Sequence, residues 1–476
     1  MHAALIGNPD KQRHRGLIAA LLLLCGFLLR LYFLQKQAFL AADSVLYQDI
    51  ALNWLHHHIY GLTEAGQIRA TLIRLPGYPA ILATLWWLFD PLLHAAPGTL
   101  RSFLPVLWLQ IAADLVTCCM VGLIARRIGG TTCGLAALAL ACLCPFTANY
   151  AVVPLTETFT LFFLTLAFYL LQRWLADRRT LWILPLAFAL SCSVLLRPDQ
   201  GLLAVAIVPI LLIGNGNETL RKRLQPAILC VALTILPFVP WTVRNYRTFH
   251  VFQPIAPKQA TDPGEPAPIH FERWFRTWGA DFTSTQDAYW NYPEDPINAA
   301  DLPERAFDTP LQRRQTERLL QQAGYEGKLN PEVEAGFETL AQERIAAHPL
   351  RYYVLLPLAR LVNMLFHPRT EMLPVAERWW QFSKHPAQTI FALAYGALNL
   401  AYFFAAIAGF RFALKRERLL VLSMAGYIAL RCLLLLTLDN PEQRYTLEFF
   451  PLLIVFAACF WMNPGQPPKG SSADGP

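Results

Sequence analysis

The sequence predicts an all-α polytopic membrane protein of about ten spans, with interfacial helices in its first outer loop and one long outer loop domain of mixed structure. Three observations carry this. The 476 residues are 55% hydrophobic and only 15% charged, whereas soluble domains average roughly 45–50% apolar and 25% charged. The apolar residues gather into runs at 17–34, 78–93, 103–125, 131–150, 155–173, 181–196, 200–214, 225–243, 351–366, 388–412, 419–438 and 446–462. Basic residues cluster beside alternate ends of those runs, which is how charge sets topology.

A span needs about 20 apolar residues. The runs at 78–93 and 351–366 are short; the first holds Asp90-Pro91 and the second Arg360 in its middle. A charge there costs roughly 2.5–3.5 kcal/mol on insertion, so both are expected to lie in the interface. With that choice five basic clusters fall on one side: Lys11, Arg13 and Arg15; Arg126-Arg127; Arg173 with Arg178-Arg179; Arg221-Lys222-Arg223; and Arg411 with Lys415, Arg416 and Arg418. That side is the cytoplasm, and both termini lie there. The N-terminal run extends to Leu34, too far for a cleaved leader, and reads as a retained first helix. The runs at 181–196 and 200–214 are short for spans.

The chain divides on this reading into an N-terminal transmembrane bundle (1–243) with a first outer loop at 35–102, an extracytoplasmic loop domain (244–350), an interfacial segment (351–387), C-terminal transmembrane helices (388–462) and a disordered Gly/Pro/Ser-rich tail (463–476). In the long loop, Thr309-Pro310 and Asn330-Pro331 each offer an N-cap followed by proline at the first helical position. They predict helices to about Ala323 and to just before Pro349.

Composition also excludes. The net charge of +7 is scattered beside apolar runs, which argues for topology rather than nucleic acid. All ten cysteines lie in apolar stretches and the 244–350 loop has none, so neither a disulfide framework nor a zinc spacing is present. Cys118-Cys119 and Cys142-x-Cys144 read as small packing residues. The Asn217-Glu218-Thr219 sequon falls on the cytoplasmic side and is discounted.

Chemistry concentrates in Ala41–Pro79. Asp43, on the outer side, could deprotonate a hydroxyl or amine; as an alternative, Asp43 or Ser44 caps the following helix. Tyr47 and Tyr78 are candidate substrate contacts. Arg74 precedes a Pro76-Gly77-Tyr78-Pro79 turn and could grip a phosphate with two parallel bonds; the alternative is headgroup contact. Glu157 opens a span, where the helix dipole favours an acid, yet an ionisable group at the slab edge also marks function. Arg197, Arg244 and Arg444-Tyr445 end spans on the outer face, against the positive-inside trend, and suit either an anionic lipid phosphate or snorkelling. His56-His57-His58 cannot point one way on a helix, so a three-histidine metal site is not expected. Asp49 and Asn53 are placed to support Asp43.

Taken in order, D-S-V-L-Y-Q-D-I-A, R-L-P-G-Y-P, I-A-R-R-I-G-G, P-L-T-E-T-F, L-L-R-P-D, P-W-T-V-R-N-Y and Q-R-Y-T-L-E-F-F-P are similar to the membrane glycosyltransferases of the GT-C class. They most resemble the family 39-like branch, which includes protein O-mannosyltransferases and the lipid A aminoarabinose transferase. The resemblance implies a GT-C-like helical bundle, a sugar donor on polyprenyl phosphate, inverting transfer, and an active site on the periplasmic or exterior face of a bacterial inner membrane. It implies Asp43 and Glu157 as the catalytic acids, the latter where many relatives have Asp. Arg74, Arg244, Arg444 and Tyr445 are implied as donor-phosphate ligands, with Tyr47, Tyr78 and Arg197 as further substrate contacts. The acceptor is a lipid, glycan or protein. No cofactor is required; a divalent metal stays open as an alternative.

Two other classes compete. A transporter or flippase of a lipid-linked substrate would carry charges inside its spans and internal repeats; here no repeat is visible and Asp114 is the notable mid-span charge. A structural membrane protein would work through the long loop alone.

Overall fold

The computed structural model describes residues 9–213, 219–325 and 327–461. The expected tail at 463–476 and the Asn217-Glu218 part of the sequon lie outside the described residues. The chain forms two compact units. One comprises Met1–Ala256, Leu400–Ile428 and Leu447–Pro476, the other Pro257–Asn399 and Ala429–Thr446. The loop domain expected at 244–350 thus falls in a larger unit that begins at 257 and takes in the expected interfacial segment.

The first unit is helical: α1 (Pro9–Lys36), α2 (Ala42–His57), a hairpin of β1 (Gly61–Glu64) and β2 (Gln67–Ala70), then α3 (Gly77–Leu93), α4 (Leu104–Cys142), α5 (Pro145–Tyr150), α6 (Glu157–Asp177), α7 (Ile183–Leu196), α8 (Gly201–Ile213), α9 (Leu220–Ile235) and α10 (Phe238–Phe249). Among the described residues six helices are long and apolar enough to cross a membrane: Gln12–Lys36, Leu100–Cys142, Glu157–Asp177, Leu220–Phe249, Pro386–Arg416 and Arg418–Leu435. The chain is an integral membrane protein. The expected ten spans are not matched one for one.

Part of the difference is geometric. Inside α4, Gly130 takes φ 79° and ψ −172°. A Cβ at Gly134 would stand 2.6 Å from that of Arg126 and 2.9 Å from the Gly122 carbonyl oxygen. In a straight helix Gly122 and Gly134 would be about 18 Å apart. The chain therefore reverses at Gly130, and the expected runs at 103–125 and 131–150 are two legs of one hairpin. The glycines let the legs approach to backbone contact. The rest of the difference is length: Thr180–Leu196 and Pro198–Ile213 are shorter apolar helices, and in the last apolar run the α-helix is the short buried α18 (Phe450–Ala458), flanked by 3₁₀ turns. The run at 78–93 becomes α3, which is not among the six.

Asp114, the mid-span charge expected, is joined inside the bundle by Arg30. Arg30 of α1 and Asp114 of α4 are both buried, with Nε donating to Oδ2 at 2.6 Å. Arg30 Nη1 also donates to the carbonyls of Gly26 and Cys142, each at 2.8 Å. The pair is closed on itself and on backbone, which is what makes a buried charge tolerable.

The second unit contains α11 (Ile269–Arg276), the short α12 (Phe282–Ser284), α13 (Pro310–Gln322), α14 (Pro331–Ala347) and α15 (Leu356–Phe366), of which α11, α13 and α14 build an aromatic core. Phe271, Trp274, Phe275, Trp278 and Phe337 are buried there; Phe271 and Tyr292 stack at 4.0 Å. The two expected caps are present: the Thr309 side chain accepts from Gln312 N and that of Asn330 from Glu332 N. Among its described residues the unit has no strand, so the expected mixed structure is helix and irregular chain. Arg360, expected at a membrane surface, is buried in this unit. α16 (Pro386–Arg416) and α17 (Arg418–Leu435) precede α18.

Candidate active site

The segment between α1 and α3 is held by polar contacts that differ from those expected from the sequence. α2 begins after Ala41, with no side-chain cap. Asp43 stands in its first turn, and its Oδ1 accepts from Arg74 Nη2 at 2.9 Å. The capping alternative is therefore corrected: the carboxylate turns away from the helix end to meet a guanidinium. Asp49 and Asn53 do not support Asp43. Asp49 accepts from Thr63 N at 2.7 Å and Thr63 Oγ1 at 2.9 Å, and Asn53 Nδ2 donates to the Gly61 carbonyl at 3.1 Å. Both pin the β-hairpin, whose Ala65-Gly66 turn lies in the left-handed region at φ 48° and 77°, a backbone that suits a two-residue hairpin. The three histidines end α2, with His58 left-handed at φ 58°.

Arg244 is a brace. α10 continues to Phe249, so Arg244 lies within a helix rather than past a span end. Its Nη1 donates to the Thr71 carbonyl and its Nη2 to that of Tyr60, both at 2.7 Å. Its guanidinium lies 5.3–5.4 Å from the rings of Tyr60, Trp241 and Phe249. Tyr60 in turn donates its hydroxyl to the Arg74 carbonyl at 3.0 Å. Arg244 thus positions the segment after β2 that carries Arg74.

The Pro-Gly-Tyr-Pro turn brings this segment to α7. A Cβ at Gly77 would lie 2.5 Å from the Leu195 carbonyl oxygen, so only glycine permits the approach. Tyr47, Tyr78, Phe159 and Leu196 then share one buried cluster. Tyr78 packs edge-on to Tyr47 at 5.1 Å and tilted to Phe159 at 6.2 Å; its hydroxyl donates to Gln110 Oε1 at 2.9 Å. Residues adjoining this cluster carry the second charged group. Glu157 opens α6, as the dipole argument expects, and also accepts from Arg197 Nη1 at 3.0 Å. Arg197 further meets Asp199 at 3.3 Å and Glu448 at 3.7 Å. Glu448 is buried and accepts from Gln200 Nε2 at 3.3 Å, while Tyr427 donates to Gln200 Oε1 at 2.7 Å.

Tyr47 joins the two groups. Its ring lies 5.9 Å from the Arg74 guanidinium. Burial pushes its phenol up to about 12, and Arg74, Asp43, Glu157 and Arg197 all act on it electrostatically. Tyr47 packs on Tyr78 and Tyr78 on Phe159 in the cluster that also holds Leu196, so Asp43 and Glu157 flank one buried patch. Asp43–Arg74 is the partly exposed pair, at 29% and 24%, and Arg197–Glu157 the enclosed one, at 14% and 4%. A partly exposed carboxylate steered by a guanidinium is equipped to take a proton from an incoming nucleophile.

Arg444 and Tyr445 are placed in the second unit, where both close on Glu442: Arg444 Nε at 2.5 Å from Oε2, and the Tyr445 hydroxyl donating to Oε1 at 2.7 Å. Their phosphate role rests on the motif alone. The sequence reading overlooked Asp199 and Glu448, although both stand in the quoted motifs L-L-R-P-D and Q-R-Y-T-L-E-F-F-P. It also overlooked Gln110, Gln200 and Arg30; a basic residue inside the first apolar run was the available signal for the last.

A sequence model of the family described as dolichyl-phosphate-mannose-protein mannosyltransferase matches residues 98–242, the stretch holding Gln110, Glu157, Arg197 and Asp199. Over that stretch it bears out the resemblance to membrane glycosyltransferases drawn from the motifs. No curated protein matches the sequence. Among solved structures the chain is similar to the oligosaccharyltransferase of Archaeoglobus fulgidus in the apo form, at TM-score 0.49 and 12% identity over 94% of this chain and 50% of that one. Similar again is that organism's AglB with an inhibitory peptide and a dolichol-phosphate, at 0.48 and 12% over 94% and 50%. ArnT from Cupriavidus metallidurans bound to undecaprenyl phosphate gives 0.40 and 15% over 93% and 77%. The chain spans about half the length of the archaeal protein.

Proposed function

We propose that this protein is a membrane glycosyltransferase that moves a sugar from a polyprenyl-phosphate donor to a lipid, glycan or protein acceptor, with inversion, on the extracytoplasmic face. The observation that supports it best is that the Asp43–Arg74 pair and the Glu157–Arg197 group both adjoin one buried cluster of Tyr47, Tyr78, Phe159 and Leu196. The family match over 98–242 supports the reaction class. The setting is a bacterial inner membrane, with the termini in the cytoplasm and the first loop outside.

In this reading Asp43 takes the proton of the acceptor hydroxyl or amine. The nucleophile attacks the anomeric carbon on the face opposite the phosphate. The sugar–phosphate C–O bond breaks, and the polyprenyl phosphate leaves with growing negative charge. Arg74, beside Asp43, stabilises that charge, more strongly in a poorly hydrated site than in water. Arg197 gathers Glu157, Asp199 and Glu448 and fixes the wall against which the sugar lies. Arg244 holds the hairpin and the segment leading to Arg74, and of the arginines expected at the donor phosphate Arg74 is the one beside Asp43. Tyr47 and Tyr78 give the site its aromatic floor. The guanidinium can carry the leaving charge without a metal; transfer measured with and without a chelator decides that point.

The experiment is transfer by the purified protein in vesicles from a polyprenyl phosphate bearing a labelled sugar, offered lipid, glycan and protein acceptors in turn. Label passing to one acceptor, with release of polyprenyl phosphate, supports the reading. Movement of intact donor across the vesicle without transfer favours the transporter class instead.

A further inference from the structure

We propose that the second unit carries an oxyanion site, built on the side-on edge of Arg360 with Arg276 beside it, which takes the phosphate or carboxylate group of a ligand. The site is independent of the proposed transfer chemistry, and its test does not require that chemistry to be right.

Arg360 is fully buried in α15. Its Nη1 is used: it donates to the carbonyls of Gly279 at 2.9 Å and Arg276 at 3.3 Å, at the end of α11. Its Nε and Nη2 are also buried, and neither has a hydrogen-bond partner among the described residues. Those two nitrogens lie along one edge of the planar group. That edge is the one with which a guanidinium binds carboxylate or phosphate through two parallel bonds. A bracing role alone would explain Nη1 and leave the fork without a reason, since a buried charged donor without an acceptor is costly.

The surrounding charge favours an anion. Arg276 pairs with Asp439 at 3.0 Å and lies 5.5 Å from the Tyr352 ring. Among the described residues Asp439 is paired with Arg276, and no carboxylate is paired with Arg360. Burial, and then Arg276, push Arg360 down to about 10, against the opposite pull of Asp439 and Tyr352. An oxyanion on the fork would supply both the missing acceptors and the missing charge. Arg276, with 27% of its side chain exposed, is the member of the pair that meets solvent.

The test titrates purified full-length protein in detergent with inorganic phosphate, and separately with acetate, following tryptophan fluorescence; Trp274 and Trp278 lie in and just after α11. R360K keeps a charge and a donor for the two carbonyls but loses the fork. R74Q controls for anion binding in the first unit. A saturable response that weakens about tenfold or more in R360K, the cost of one charge-assisted hydrogen bond, and persists in R74Q supports the site. Curves that coincide for wild type and R360K, or no saturable response to either anion, overturn it. The same titration in nanodiscs distinguishes sources: a phosphate response suppressed by phosphatidylglycerol but not by phosphatidylcholine identifies a lipid headgroup as occupant, and one unchanged by both identifies a soluble anion.

Discussion

Arg30 and Arg197 of the first unit contrast with Arg360 of the second, a unit that also holds a closed arginine: Arg344 meets Thr277, Gln312, the Arg305 carbonyl and Asp308. In the first, Arg30 is closed by Asp114 and two carbonyls, and Arg197 by three carboxylates. In the second, the fork of Arg360 meets no acceptor among the described residues. The cost of burying a charge is similar in each place, so the difference separates three uses: a closed pair that holds helices together, a shared guanidinium that arranges acids, and an open edge that suits a ligand. The closed pair also bears on the transporter alternative. Charges within spans mark transport paths when they face a cavity, whereas Arg30 and Asp114 satisfy each other.

The sharpest way to break this contrast is to open the closed pair. Arg30→Met leaves Asp114 buried without its partner and is expected to cost about 3–5 kcal/mol of stability. Arg30→Met with Asp114→Leu should recover most of that loss. Unfolding midpoints of both variants in detergent check it; a neutral single variant would return the pair to a role in transport.

Glu448→Gln probes the shared guanidinium. It keeps an acceptor for Gln200 and removes one of the three charges on Arg197. Losing one charge-assisted contact costs about 1.5–3 kcal/mol, so transfer should fall roughly ten- to hundredfold while the unfolding midpoint moves little. A midpoint that falls in step with activity would make Glu448 structural only.

Asn330→Ala removes the α14 cap and should cost about 1 kcal/mol with transfer by the first unit's site unchanged, as read by paired melting and activity measurements. A further effect is pH-dependent. Burial and then Asp439 hold the Glu272 carboxyl up at about 7, with Glu334 adding to the rise and Tyr289 and Lys258 opposing it. The folded chain therefore keeps a proton that the unfolded chain releases near pH 4.3. This contribution to stability is full below that pH and is lost as pH rises through 7. Glu272→Gln should flatten that part of a melting-against-pH curve; an unchanged curve would show that the group does not titrate there.

The helices were legible where local physics decides them. Thr309-Pro310 and Asn330-Pro331 announced α13 and α14 to within a residue or two, because caps and proline act within one turn. Asp43, Arg74, Glu157 and Arg197 were legible as unusual charges at the ends of apolar runs. Their pairing was not, because it depends on Gly77 admitting the Leu195 carbonyl and on the hairpin that Asp49 and Asn53 pin, contacts between residues far apart in sequence. For the same reason Arg244 could be found but not assigned: nothing local tells a guanidinium reaching for phosphate from one reaching for two carbonyls. The reversal at Gly130 had a local signal in Gly129-Gly130. The approach of Gly122 to Gly134 had none.

The central claim is that Asp43, steered by Arg74, removes the acceptor's proton. The most direct measurement compares wild type with Asp43→Asn for transfer from a labelled polyprenyl-phosphate sugar, at matched expression and melting temperature. The account predicts a loss of about 10²–10⁴-fold; transfer at the wild-type rate by the folded variant would contradict it.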